Sequence, residues 1–237
     1  MKSKHLLFPL ALFTVPILQA DTLPVSPNDP ANRGTNTIVL SPGLSLIANP
    51  LYHNRGTLLA DAVPDNTVGE LFKQVPNGTA LLKFDNATQE FSSKNMFHHG
   101  DWSDPQELLE PGEGAFIFVP GHRSLVVRFT GNCAYGGAVA VPMGLSAISS
   151  PDCGTINFAP LILPSLPYSA WSGWDNLSFD PREGDVVYTL NDATQRFERH
   201  SFNNGVWDSL PVVGVGQACF VHTSQPRIIQ YTAPPPS

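Results

Sequence analysis

Two octapeptides constrain this chain more than any other feature in it. Phe84–Phe91 reads FDNATQEF, and Leu190–Phe197 reads LNDATQRF. The likeness extends in both directions. Leu44–Pro50 (LSLIANP) matches Leu145–Pro151 (LSAISSP), and Ala80–Phe84 matches Val186–Leu190. Trp102 matches Trp207, Gly112–Val119 (GEGAFIFV) matches Gly214–Val221 (GVGQACFV), and Leu125–Phe129 matches Arg227–Tyr231. The offset drifts only between 101 and 106 residues and the order of the blocks is kept. The pattern reads as one unit of roughly one hundred residues written twice, 37–132 and 133–232. Each copy is long enough to bury a core of its own, and the period is too long for a solenoid repeat.

Within a copy the apolar runs are short, rich in β-branched and aromatic residues, and bounded by turn formers, which is the pattern of strands. The chain's 23 prolines and 19 glycines agree, since proline breaks helices and central strands and gathers in turns. The fold class is therefore all-β: two tandem antiparallel β-sandwich or barrel modules with at most one short helix. Thr79–Phe84 and Gln89–Ser92 flank Asp85-Asn86-Ala87-Thr88, a hairpin loop whose Asn and Asp tolerate left-handed backbone. On that reading Phe84 and Phe91 are core; the competing reading is a binding loop displayed twice. Asn77, Asn86 and Asn176 fit glycosylation sequons. Gly114 is expected to supply a positive φ before Phe116–Val119 enters the core, with no Lys-Ser/Thr pair to make a phosphate loop. The helix starts at Thr67, spaced from Glu70 as in a capping box, with Val68, Leu71, Phe72 and Val75 on one face. The second copy has the Pro-broken run Phe158–Leu166 there instead.

The N-terminus reads as an export signal. Lys2 and Lys4 precede a mostly apolar run from Leu6 to Leu18, and the segment closes on Gln19-Ala20, so residues 1–20 are a signal peptide cleaved after Ala20. The run is shorter than the ~20 residues of a membrane span. Residues 21–36 and 233–237 are loose ends. Removing Lys2 and Lys4 leaves 11 basic against 20 acidic side chains, a net charge near −9. A surface of that sign repels phosphate backbones, so nucleic acid is excluded as a partner. The destination is secreted or periplasmic.

The block Pro42–Leu51 (PGLSLIANPL), then Leu81-Leu82-Lys83-Phe84, then Pro111–Phe116 (PGEGAF), resembles secreted proteins of unknown function from Verrucomicrobia and related bacteria. Their module opens on a G-(F/W)-(N/S)-L-I-(A/G)-N-P strand and closes on P-G-(E/Q)-G-F-(F/W)-V. The resemblance covers the first copy well and the second loosely, where Asn49 is matched by Ser150 and Glu113 by Val215. It implies an exported β-rich module and carries over no catalytic residue.

Candidate chemistry is sparse. Cys133 and Cys153 could form a disulfide stapling the segment between the copies, and Cys219 sits in an apolar run as a buried thiol. His98-His99-x-Asp101 is too weak a set for a metal, because adjacent strand residues face opposite ways. No pattern calls for a cofactor. Glu107, Glu110 and Glu113 read as a solvated edge, although a glycosidase carboxylate pair is a three-dimensional property that spacing does not display. The tryptophans divide. Trp102 and Trp207 are core plugs or, with Trp171, Trp174 and Asp175, a surface on which sugar rings stack. Two functions follow: a non-catalytic structural or interaction module of the envelope or extracellular space, meeting envelope proteins, or a polysaccharide-binding protein using exposed tryptophans.

Overall fold

A computed structural model describes residues 33–55, 63–132, 138–150, 155–158 and 176–230. The chain order in the first half is β1 (Arg33–Leu40), β2 (Gly43–Ala48), β3 (Asn54–Arg55), β4 (Val63–Pro64), α1 (Val68–Leu71), β5 (Ala80–Asp85), β6 (Glu90–Phe91), β7 (Asn95–His98), β8 (Asp101–Trp102), β9 (Gly114–Val119) and β10 (Leu125–Asn132). The second half runs β11 (Ala138–Val141), β12 (Gly144–Ser149), β13 (Thr155–Asn157), β14 (Asn176–Ser178), β15 (Val186–Asn191), β16 (Arg196–Asn203), β17 (Val206–Trp207), β18 (Ala218–Thr223) and β19 (Arg227–Gln230). The protein is all-β, and α1 is the one α-helix among the described residues. Apart from the parallel pair β13–β14, its paired strands are antiparallel.

Two sheets organise the molecule. One runs β2-β9-β5-β7-β8, with β6 also on β5; the other runs β12-β18-β15-β16-β17. Matching strands occupy matching places: Ile47 faces Ala115 as Ile148 faces Cys219, and Leu81 faces Ile117 as Val187 faces Val221. A two-stranded ribbon accompanies each sheet, β1 on β10 and β11 on β19. Arg33–Asn36, assigned from sequence to the loose N-terminal segment, belong to β1 and pair with Phe129–Asn132. The ladder uses backbone groups alone, so polar side chains do not exclude these residues from a strand.

Each half has its own core between sheet and ribbon. In the first, Ile47, Leu81, Ile117 and Val119 meet Val127 and Phe129, with Val68, Leu71, Phe72 and Val75 from the helical turn. Thr67 caps that turn, its Oγ1 accepting from Glu70 N–H at 3.3 Å, and the Thr67 N–H donates to Asp65 Oδ1. The Glu70 carboxylate is held by His53 and Lys73. In the second core Ile148, Val187, Cys219 and Val221 meet Val141 and Ile229. Cys219 is a free thiol, and its burial pushes its pKa far up, so it behaves as a small hydrophobe.

A third cluster lies between the two sheets. Leu46, Ala48 and Phe116 of the first half pack on Ala147, Ala218 and Phe220 of the second, flanked by Phe84, Tyr188 and Leu190. The central strands are thus buried on both faces, which is why β9 and β18 read as nearly unbroken apolar runs rather than alternating ones. Hydrogen bonds at this junction come in corresponding pairs. Ala48 N–H donates to Gly216 O at 3.0 Å and Ser149 N–H to Gly112 O at 3.1 Å; Ile47 bridges Gln217 as Ile148 bridges Glu113. The two halves therefore meet about an approximate two-fold axis.

That register corrects two readings of the glycine block. Gly114 occupies the place of Ala218, opposite Ala48 and Ser149 respectively, so Gly112 corresponds to Gly216 and Glu113 to Gln217. The sequence match is two residues out, and a slip of two preserves which face every side chain takes. The positive φ belongs to Gly112 (95°) and Gly216 (77°), not to Gly114. Gly114 is small for another reason. A Cβ there would sit 2.8 Å from the Cβ of Ala218, its own counterpart across the axis.

Candidate functional site

The doubled octapeptide forms two hairpin tips, and each tip grips the other half. Gln195 Nε2 donates to Leu44 O at 2.9 Å, and Leu44 N–H donates to Gln195 Oε1 at 2.7 Å. Gln89 does the same with Leu145, whose N–H donates to Gln89 Oε1 at 2.8 Å. Both glutamines lie at left-handed φ, 61° for Gln89 and 54° for Gln195, which closes the four-residue loops and turns each amide across the junction. Asn86 completes one side, donating to Ala147 O at 3.1 Å and accepting its N–H at 2.8 Å. The counterpart of Asn86, Asp192, takes the Ser45 hydroxyl at 3.0 Å, and burial raises its pKa against the pull of that bond. Asn86 is thus a junction residue. Phe84 is partly buried against the junction cluster; its ladder partner Phe91 is 50% exposed, as is the counterpart Phe197 at 49%, because both rings lie at the rim of that cluster, each against Phe116 and Phe220.

Two grooves flank the junction at corresponding places. One, of about 450 Å³, is lined by Lys83, Phe84, Ser92, Glu107 and Glu113, with Ala147 from the other half. The other, of about 190 Å³, is lined by Thr189, Leu190, Glu198 and Gln217, with Leu46 from across the junction. Lys83 Nζ is 2.7 Å from Glu113 Oε2 and donates to Leu108 O at 2.7 Å. Glu113 Oε2 also accepts the Glu110 N–H at 2.9 Å, just as Gln217 Oε1 accepts the Gly214 N–H at 2.9 Å. Glu107 accepts from Asn95 Nδ2 at 2.8 Å. Burial raises the Glu107 pKa, and the charges of Asp104 and Glu113 push the same way against Asn95 and Lys83. The three glutamates are therefore not a plain solvated edge: Glu107 and Glu113 enclose a lysine in a groove, and Glu110 accepts from Asn66 Nδ2 at 2.6 Å.

The remaining candidates lie elsewhere. Trp102 is a core ring, 4% exposed, edge-on to Phe72 and Phe97, with its indole N–H on Phe72 O at 3.1 Å. It presents no open face to a sugar. Trp207, half-buried, packs against Phe158, Phe179 and Phe202 and donates to Phe158 O at 2.7 Å. The nearby carboxylates hold backbone: Asp208 accepts from Ser201 and Ser209 N–H, and Asp101 from Trp102 N–H. Trp171, Trp174, Asp175, Cys133 and Cys153 lie outside the described residues. His98 and His99 stack at 4.7 Å, because His99 has a φ of 54° and does not continue the strand alternation. Among the described residues no three metal-ligating side chains cluster, and no helix is long and apolar enough to cross a membrane.

The sequence did not point to the grooves, because the lining of each comes from several separated segments of both halves. The available signal was the change of charge between the octapeptide flanks, Lys83 against Thr189; Glu113 against Gln217 became visible only through the ladder register. No family model, curated protein or solved structure matches this chain.

Proposed function

We propose that this protein is an exported, non-catalytic structural or interaction module built from two copies of one unit. The observation that carries this reading is the reciprocal grip of the hairpin tips. Their polar side chains, the best candidates for a displayed binding loop, are engaged in holding one half to the other. A unit whose turns lock its own halves presents fixed outer surfaces, which suits a scaffold or adaptor. The N-terminal segment 1–20 and the resemblance to secreted bacterial proteins support export. To test this, the full chain would be expressed in a Gram-negative host, fractionated, and sequenced from its N-terminus. A mature protein beginning at Asp21 outside the cytoplasm, captured with envelope components by cross-linking, is expected. A cytoplasmic protein that retains residues 1–20 would refute export, and recovery without any partner would refute the adaptor role.

Carbohydrate binding is the second reading. With Trp102 and Trp207 packed inward, it rests on Trp171, Trp174 and Asp175 and on the charged groove beside Glu107.

A further inference from the structure

The two grooves are built on matching strands, so each is a control for the other. At Lys83, Glu113 and Asp85 the second half has Thr189, Gln217 and Asn191, and it forms the same strands and the same turn. Gln217 closes that turn through one oxygen at the distance Glu113 uses, so the turn needs an acceptor and not a charge. The charges of the first groove are not a requirement of the fold. The backbone differs as well. β16 is continuous, whereas the first half carries one extra residue in 92–94, which splits β6 from β7 and leaves Ser92 Oγ to accept the Lys83 N–H at 3.0 Å. Single-residue bulges of this kind re-aim side chains beside binding sites. The groove next to the bulge has more than twice the volume of its counterpart, and about 450 Å³ lies within the range of small-ligand pockets.

Its chemistry selects the ligand class. Phe84 gives an apolar wall, and Ser92 and Lys83 add a hydroxyl and an ammonium to the lining, groups that suit a hydroxyl-bearing ligand. Lys83 pairs directly with Glu113, and Glu107, whose direct partner is the Asn95 amide, shares the field of that one lysine, so the groove holds two carboxyls to one cation. We propose that this groove binds an amino sugar of a glycan, with its ring against Phe84 and its ammonium between Glu107 and Glu113. A charge-assisted pair in a part-buried groove is stronger than a neutral hydrogen bond. This inference rests on the carbohydrate reading and names its site and substrate class.

Calorimetry on the full chain with a glucosamine hexamer, an N-acetylglucosamine hexamer and cellohexaose, in low salt at mildly acidic pH, tests it. The glucosamine hexamer is expected to bind at least tenfold more tightly than the other two. Glu107→Gln/Glu113→Gln should lose at least tenfold with its melting temperature held within a few degrees, as the Gln217 turn implies. Lys83→Thr, which mimics Thr189, should bind as well or better. Absence of glucosamine-hexamer binding overturns the proposal, as does equal binding of all three hexamers. Tight binding that the double variant retains also overturns this site, while leaving carbohydrate recognition elsewhere on the chain standing.

Discussion

Arg227 and Asp185 form a buried ion pair at 2.7 Å, with side chains 4% and 0% exposed. The guanidinium also donates to Asp180 O at 2.9 Å and lies over Phe179, while its Nε has no hydrogen-bond partner among the described residues. At the corresponding backbone positions the first half has Leu125 and Thr79, so the same architecture is built without the charges. Removing one member of such a pair strands the other in a poor solvent, at a cost of about 3–5 kcal/mol. Arg227→Leu alone is therefore expected to destabilise by that amount, or roughly 6–20 °C in a chain of this size. Asp185 has one further duty: its Oδ2 accepts the Arg182 N–H at 2.7 Å. The first half has Pro76 there, which has no N–H to satisfy, and Thr79 Oγ1 turns back to Pro76 O at 2.7 Å. The triple variant Arg182→Pro/Asp185→Thr/Arg227→Leu transplants the whole first-half solution and should lie within about 1.5 kcal/mol of wild type, as buried pairs replaced by well-packed residues do. Urea unfolding followed by circular dichroism measures all three proteins. The reasoning fails if Arg227→Leu costs under about 1 kcal/mol, or if the triple variant is no more stable than the single one.

Other perturbations probe the junction. Gly114→Ala places two methyl carbons 2.8 Å apart and should cost about 1–3 kcal/mol by overpacking; adding Ala218→Gly, which moves the methyl across the axis, should restore most of it on chemical denaturation. Gln89→Ala and Gln195→Ala should each cost about 1 kcal/mol and add in the double variant, since the two grips share no partner. Asp192→Asn should stabilise by about 1 kcal/mol at neutral pH, because an amide can copy the paired bonds of Asn86. The Asp192 carboxyl is raised by burial, so its ionised form opposes folding only as the pH climbs above the ordinary aspartate range. The benefit of the substitution should therefore shrink in thermal melts toward pH 4.

The strands, the hairpins and the capped turn at Thr67 were legible because each is written in adjacent residues. The two-residue slip in the glycine block shows the limit of such patterns. Gly112-x-Gly114 resembles Gly214-x-Gly216 as text, and alternation gives the same inward set for either register. Only ladder partners separate them. The sequence reads Phe91 as core, yet half of its surface is exposed: it shares the covered face with Phe84 and Phe116 but stands at its rim, and no local pattern marks where a covered face ends. Trp102 was offered two roles by the sequence, and its burial against Phe72 and Phe97 decided for packing. The junction was illegible for a different reason. Gln89 and Leu145 are 56 residues apart and Gln195 and Leu44 are 151 apart, and nothing local in either stretch names its partner.

The unequal pair at the axis, Gly114 against Ala218, bears on what happens when many chains fold side by side. Halves so alike could associate with the wrong mate, first with first or second with second, and a molecule with interchangeable halves would form chains of exchanged partners. Two second halves meeting on this axis would bring Ala218 against Ala218, where even one methyl in place of Gly114 is already too close. Two first halves would leave a gap between facing glycines. Only unlike halves fill the space without collision, and the nearest unlike half is always the one on the same chain. A single hydrogen in place of a methyl thus acts as an address label, directing each half to an unlike mate rather than to a copy of itself, and the shared chain supplies that mate at close range.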